Sequence, residues 1–282
     1  MDWNARFDAL EARKTSEAIA APIEPFTTTL DQPDASVVPI GNAWTRRLFD
    51  GSFYLSAPAS SEQPAANLVF VRSRDGNTVA KNPQSLGGGE ADKHLIYEGL
   101  SRVAADAVLG GHTTIRDGDL ILSVWHPELV ALRASLRLPR HPAQIVATLG
   151  GVDLDQGLMF NVPSLRVFIL TVARGVMAMR EGLALRPWII PIVIAGPHDL
   201  RDAFRQLRAL GVRRLSCIGG RTLARHVLDA GLIQDVLLTT SASAAGEPRT
   251  PFYSKAIDGP AIVRKNGTGV DKGVVFEQMS LG

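Results

Sequence analysis

An α/β fold with a mostly parallel sheet covered on both faces follows from three features of this 282-residue sequence. Short apolar runs of strand length alternate with helical stretches whose apolar residues recur every three or four positions. Two of the runs break at glycine pairs and restart as helices, the strand-turn-helix step of a parallel sheet. The last two runs follow without a clear helix between them, so they are expected to add as an antiparallel edge.

Taken in order, Trp3, Phe7, Leu10, Ala18 and Ile19 carry helical spacing over residues 1 to about 20. Residues 21–66 change character: Pro22, Pro25, Pro33, Pro39, Pro58 and Pro64 punctuate them, and Ala57 to Pro64 reads as an exposed loop. Trp44, Phe49, Phe53 and Tyr54 are too aromatic for a solvated linker, so this arm is expected to pack on the main body or on a partner subunit. The chain therefore divides at the sequence level into an arm, residues 1–65, and a main domain, residues 66–282. Asn67 to Arg72, Ala105 to Leu109, Gln144 to Thr148, Arg166 to Thr171, Ile192 to Ala195, Arg214 to Ile218 and Asp235 to Thr240 read as strands. Ala261 to Arg264 and Val274 to Gln278 complete the set. Ala91 to Ala104 and Asp199 to Leu210 read as helices, the second stopped by Gly211.

Composition narrows the function. Thirty Lys and Arg against 28 Asp and Glu leave a net charge of +2, too balanced for nucleic acid or an anionic membrane as the main partner. No apolar run approaches the ~18 residues needed to span a bilayer, and the N-terminus lacks the pattern of a secretory signal, so a cytoplasmic location is expected. The single cysteine, Cys217, rules out an intrachain disulfide framework and a multi-cysteine zinc site. His126-Pro-Glu128 matches the His-x-Glu of zinc deaminases, but their Cys-x-x-Cys partner cannot be built with one cysteine. No metal site is expected. Cys217 lies inside an apolar strand run and is expected to pack rather than react.

Chemistry concentrates at the expected carboxyl ends of the strands, where ligands of parallel sheets bind. Gly110-Gly-His-Thr-Thr114 and Ile218-Gly-Gly-Arg-Thr222 are both glycine-rich strand-to-helix junctions, and Thr148 and Thr171 end two further strands. Glycines there let a ligand approach the backbone, and the free N–H groups of a helix start favour phosphate. Together the four elements point to a dinucleotide.

In order and spacing these motifs resemble the reductase domain of riboflavin biosynthesis, a relative of dihydrofolate reductase. The residues that carry the likeness are Ser73-Arg-Asp-Gly76, Ser101-Arg102-Val-Ala-Ala-Asp106-Ala107, Gly110-Gly-His-Thr113-Thr-Ile-Arg-Asp117, Ile218-Gly-Gly-Arg-Thr222 and Gly231-Leu-Ile-Gln-Asp235. The resemblance runs from about residue 66 to the end. It implies a dihydrofolate reductase-like three-layer sandwich, a homodimer, and an NADPH-dependent reductase that gives a hydride to a pyrimidine carrying a phosphoribosylamino group. By matching positions it assigns Gly110, Thr113, Asp117, Thr148, Gly219, Gly220, Arg221, Thr222 and Leu223 to the cofactor. Ser73, Asp75 and Arg102 fall to the substrate, with Asp75 the catalytic candidate. Arg221 or Arg174 suits a 2′-phosphate, since a guanidinium matches phosphate oxygens.

Three departures bear on the substrate. The aromatic-bearing loop expected before the first helix is replaced by Leu86-Gly-Gly-Gly89. Ile218 stands where riboflavin reductases often place a glutamate, which resembles dihydrofolate reductases instead. The Leu-Thr-x-Arg segment expected after Asp117 to hold a substrate phosphate is replaced by Leu120-Ile-Leu-Ser-Val-Trp-His-Pro127. A pterin or dihydrofolate-type reductase is therefore an alternative substrate class. A non-catalytic NADP-binding or interaction protein, using the aromatic arm, is an alternative of another kind.

Overall fold

The computed structural model describes residues 2–80, 86–115, 119–257 and 259–281. Among these residues the chain forms a ten-stranded sheet in the order β1-β11-β12-β10-β4-β9-β5-β6-β7-β8 and a two-stranded sheet, β2-β3. The strands are β1 Thr27–Asp31, β2 Val37–Ile40, β3 Phe53–Ser56, β4 Ala65–Arg72, β5 Ala107–Gly111, β6 Ala143–Ala147, β7 Val167–Thr171, β8 Ile189–Val193, β9 Arg214–Cys217, β10 Asp235–Thr240, β11 Ala261–Asn266 and β12 Val275–Ser280. From β10 to β8 every neighbouring pair is parallel. β12, β11 and β1 extend the sheet as an antiparallel edge.

Side-chain alternation along each strand splits the apolar residues between two cores. In β4 Leu68 enters one and Val69 the other; in β5 Leu109 and Val108 part in the same way. One face is covered by the helices Leu200–Ala209 and Arg221–Asp229, whose Leu200, Ala203, Phe204, Leu207, Ala224 and Val227 are buried. The other is covered by the helix Ala91–Leu100, continued by Ser101–Val103, and by Pro127–Ser135. Ala91–Leu100 winds with the wide π-type hydrogen bonding, and Gly99 leaves helical geometry at ψ −105°. A Cβ there would sit 2.8 Å from the His94 carbonyl, so only glycine fits the wide turn.

The N-terminal residues join the second core. Helix Trp3–Ala20 buries Phe7, Leu10 and Ala18, and its N-cap Asp2 accepts from the Ala5 amide. Phe26, Phe49 and Phe53 sit in the same cluster as Phe276 of β12. Of the two surfaces expected for the arm, the main body or a partner subunit, it packs here on the main body of its own chain, and β1 pairs with β11.

Motif residues also serve as fasteners. Asp106 accepts the backbone amides of Arg213 and Arg214 at 2.8 and 2.9 Å, tying the start of β5 to β9. Buried Arg133 donates to the carbonyls of Arg102, Val103 and Ala105, which satisfies the end of the helix before β5.

Candidate functional site

Parallel order sends the carboxyl ends of β4, β9, β5, β6 and β7 to one side of the sheet, and a cavity of about 440 Å3 opens there. Its walls include Thr113, Thr148, Gly220, Arg221, Thr222 and Leu223, so six of the nine positions assigned to a cofactor line one space. The floor and far wall are apolar, with Leu149, Leu170, Ile194, Pro197 and Leu200.

The glycine pair after β9 is required by the backbone. Gly219 has φ +113° and Gly220 φ +78°, a region that side-chain-bearing residues rarely enter. The chain turns sharply and Gly220 becomes the N-cap of Arg221–Asp229 without any side-chain cap. The first amides of that helix therefore lack a side-chain acceptor where they meet the cavity, which is the donor set a pyrophosphate needs. Gly219 itself does not line the space; Phe70 of β4 lies against it. Gly110 is likewise buried under Ile115 and Ile218, whose Cδ1 atoms would lie 3.0 and 3.4 Å from a Cβ at that position. Asp117 lies outside the described residues.

At the rim, Arg221 donates Nε to the Pro251 carbonyl at 2.8 Å. Arg174 is not among the lining residues; it donates to the carbonyl of Leu149, which is, at 3.2 Å. Thr148 Oγ1 donates to the Gly151 carbonyl at 2.9 Å. His226, to which the sequence motifs assign no role, lines the cavity and faces His198 with ring centroids 5.5 Å apart. Burial, then Arg225 and His198, lower its pKa, so near neutral pH it presents an uncharged ring.

The three substrate-assigned residues part company. Ser73 and Asp75 stay together just beyond β4: Ser73 Oγ donates to the Asp75 carboxylate at 2.5 Å, and Asn77 Nδ2 donates to the same carboxylate at 2.9 Å. The Ser73 hydrogen bond holds the Asp75 carboxyl below the usual range, so it is ionised at neutral pH and acts as an acceptor. Arg102 is elsewhere. It is 1% exposed, donates Nη1 to the Ser123 carbonyl at 3.1 Å and lies 4.3 Å from the Tyr97 ring centre. The helix end that carries it faces the core, and it lines neither the cavity above nor the turn of Ser73 and Asp75.

Asp92 was not singled out from the sequence. It lies in the first turn of Ala91–Leu100, beyond Gly87 to Gly89, and burial pushes its carboxyl up to about 6. Its Oδ1 has no hydrogen-bond partner among the described residues. An acid following three glycines at a helix start was the available signal, but it reads equally as dipole-favoured surface charge. Cys217 is buried and its thiol is pushed up to about 12, consistent with packing. Among the described residues no group of three or more His, Cys, Asp or Glu side chains is arranged to hold a metal, and no helix is long and apolar enough to cross a membrane.

Residues 65–276 match the family model described as the RibD C-terminal domain. The chain belongs to this family. A pyrimidine reductase-like protein from Corynebacterium diphtheriae shares 17% identity and a TM-score of 0.56, over 77% of this chain and 91% of that one. RibD from Acinetobacter baumannii shares 16% at a TM-score of 0.60, over 78% of this chain and 58% of its own length. The riboflavin biosynthesis reductase Rib7 of Saccharomyces shares 13% at a TM-score of 0.51, over 79% and 92%. At these identities the likeness is one of fold, the dihydrofolate reductase-like α/β sandwich. This RibD C-terminal domain chain thus spans little more than half of the Acinetobacter protein. No curated protein matches its sequence.

Proposed function

We propose that the chain is an NADPH-dependent reductase of the riboflavin-biosynthesis type, acting on a pyrimidine ribosylamino phosphate or a related small molecule. The observation that carries this reading is the convergence of Thr113, Thr148 and Gly220 to Leu223 on one 440 Å3 cavity at the strand ends, inside the segment that matches the family. In this reading the uncapped helix start at Gly220 holds the pyrophosphate, the apolar far wall takes the adenine, and Arg221 or Arg174 meets the 2′-phosphate. When bound, the nicotinamide supplies the hydride, which asks of the protein mainly orientation and exclusion of water. Ionised Asp75 orients donor groups of the substrate from the neighbouring end of β4. A homodimer and a cytoplasmic location belong to the same reading.

Ile218 favours a second reading, a pterin or dihydrofolate-type reductase. It is 5% exposed and packs over Gly110, so a hydrocarbon stands where a polar substrate contact is expected. The segment Leu120 to Trp125 is core-packed and offers no basic side chain for a substrate phosphate. The test is titration with NADPH, followed by tryptophan quenching, in the natural chain and in Gly220→Val. Saturable quenching lost in the variant supports the cofactor assignment, and no binding at millimolar NADPH ends it. NADPH oxidation with dihydrofolate and with the phosphoribosylamino pyrimidine then separates the substrate readings.

A further inference from the structure

A smaller cavity, of about 300 Å3, adjoins the first at its apolar wall, and Pro197 and His226 line both. His198, Arg225, Asp229 and Ala230 complete the smaller one. Its one carboxylate is already held. Lys255 donates to Asp229 at 2.5 Å and the Tyr253 hydroxyl at 2.9 Å, which keeps this carboxyl below the usual range. Arg225 forms no ion pair among the described residues. The cavity therefore carries one uncompensated guanidinium beside two imidazoles set edge to face.

That group of side chains suits a phosphate monoester. A guanidinium matches phosphate oxygens, and an anion between Arg225, His198 and His226 would offset the repulsion that helps to keep His226 uncharged. Position agrees with chemistry. His226 lies six residues past Gly220, about 9 Å along the helix axis, within reach of a phosphate on the ribose next to a pyrophosphate held at the helix start. Pro197 and Leu200, which flank His198 in the chain, belong to the apolar wall read as the adenine site. By contrast, Arg221 commits its Nε to the Pro251 carbonyl, and Arg174 does not line the first cavity.

We infer that His198, Arg225 and His226 form an anion site continuous with the first cavity, which takes the 2′-phosphate and so selects NADPH over NADH. The inference rests on reading the first cavity as a dinucleotide site. It moves the choice of cofactor from the glycine junction to the middle of the following helix.

NADPH and NADH differ only in that phosphate, so calorimetric titration of both into the full chain tests the site. Arg225→Gln and His198→Gln alter residues that line the smaller cavity and not the first. The natural chain is expected to bind NADPH about a hundredfold more tightly than NADH, and each variant to lose about tenfold for NADPH. NADH affinity should stay within about twofold in both variants, which also reports that the first cavity is intact. Equal affinity of the natural chain for the two nucleotides would overturn the site and leave the dinucleotide reading standing. A parallel loss of both nucleotides in the variants would do the same, as would a selective NADPH loss in Arg221→Gln or Arg174→Gln with none in Arg225→Gln. Binding of neither nucleotide by the natural chain would end both.

Discussion

Phe70 of β4 holds its ring edge against Gly219, with Cζ 3.5 Å from where a Cβ on that glycine would project. Phe70 in turn stacks on Phe252, ring centroids 4.9 Å apart at 22°. The positive-φ turn that opens the helix at Gly220 is therefore backed by an aromatic pair. Phe70→Ala is expected to leave the fold intact at a cost of about 2 kcal/mol, below the usual range for a fully buried ring because Phe70 is only half-buried. NADPH affinity should fall about tenfold as the turn loosens. A melt and an NADPH titration decide it; a destabilised variant with natural affinity would uncouple the pair from the turn.

Arg102 tests whether a matched motif position is a contact or a brace. Its guanidinium is buried against Tyr97 and Ser123. Arg102→Met removes the donor to the Ser123 carbonyl while filling similar volume, so stability should drop by about 1–3 kcal/mol. KM for NADPH and for any substrate found should stay within about twofold. A selective rise in substrate KM without a stability change would return Arg102 to the substrate.

These two residues show what was legible in the sequence. β10 was read to the residue, and β4, β7 and β9 nearly so, because a strand buried on both faces is a continuous apolar run with clear ends. β8 was placed late, at Ile192 to Ala195, because Pro191 resembles a breaker. β8 instead ends the sheet and pairs with β7 alone, where a proline costs no ladder bond on its free side. β1, β2 and β3 were missed in the proline-rich arm: Thr27–Asp31 alternates between exposed and half-buried, and Val37–Ile40 contains Pro39. Glycine junctions report their place through backbone demands written in the letters. Arg102 and Asp92 report theirs only through burial, which depends on what the rest of the chain packs over them.

Asp92 gives a pH dependence with a definite sign. Burial raises its carboxyl to about 6, with the Thr239 hydroxyl opposing and Asp271 adding. The folded pKa lies above the unfolded value, so the folded state binds the extra proton and stability falls as pH rises from about 4 through 6. Across that window the loss is at most about 3 kcal/mol. Asp92→Asn should flatten the profile and be the more stable protein at pH 7. Urea midpoints at pH 4, 5, 6 and 7 measure it; a natural chain that gains stability relative to the variant over this range refutes the assignment.

The division of the chain at residue 65 is open to direct test. Phe49 is fully buried, its ring 5.3 Å from that of Phe276 and edge-on to it. Buried Lys265 of β11 donates to Thr28 Oγ1 and to the Asp50 carbonyl, both at 2.8 Å, and lies 4.7 Å from the centre of the Phe49 ring. Asp235 of β10 accepts from the Ser56 hydroxyl at 2.8 Å. A chain beginning at Ala66 loses Phe26, Phe49 and Phe53, about 6 kcal/mol of apolar burial at about 2 kcal/mol each, and strips Lys265 of its partners. That is comparable to the whole stability of a domain, so residues 66–282 alone should lack a cooperative melt and should aggregate. Circular dichroism melts and size-exclusion profiles of the two chains make the comparison. A cooperative transition in the shortened chain, close to that of the full one, would show that the sequence boundary is also a folding boundary and that the aromatic arm only decorates the sheet.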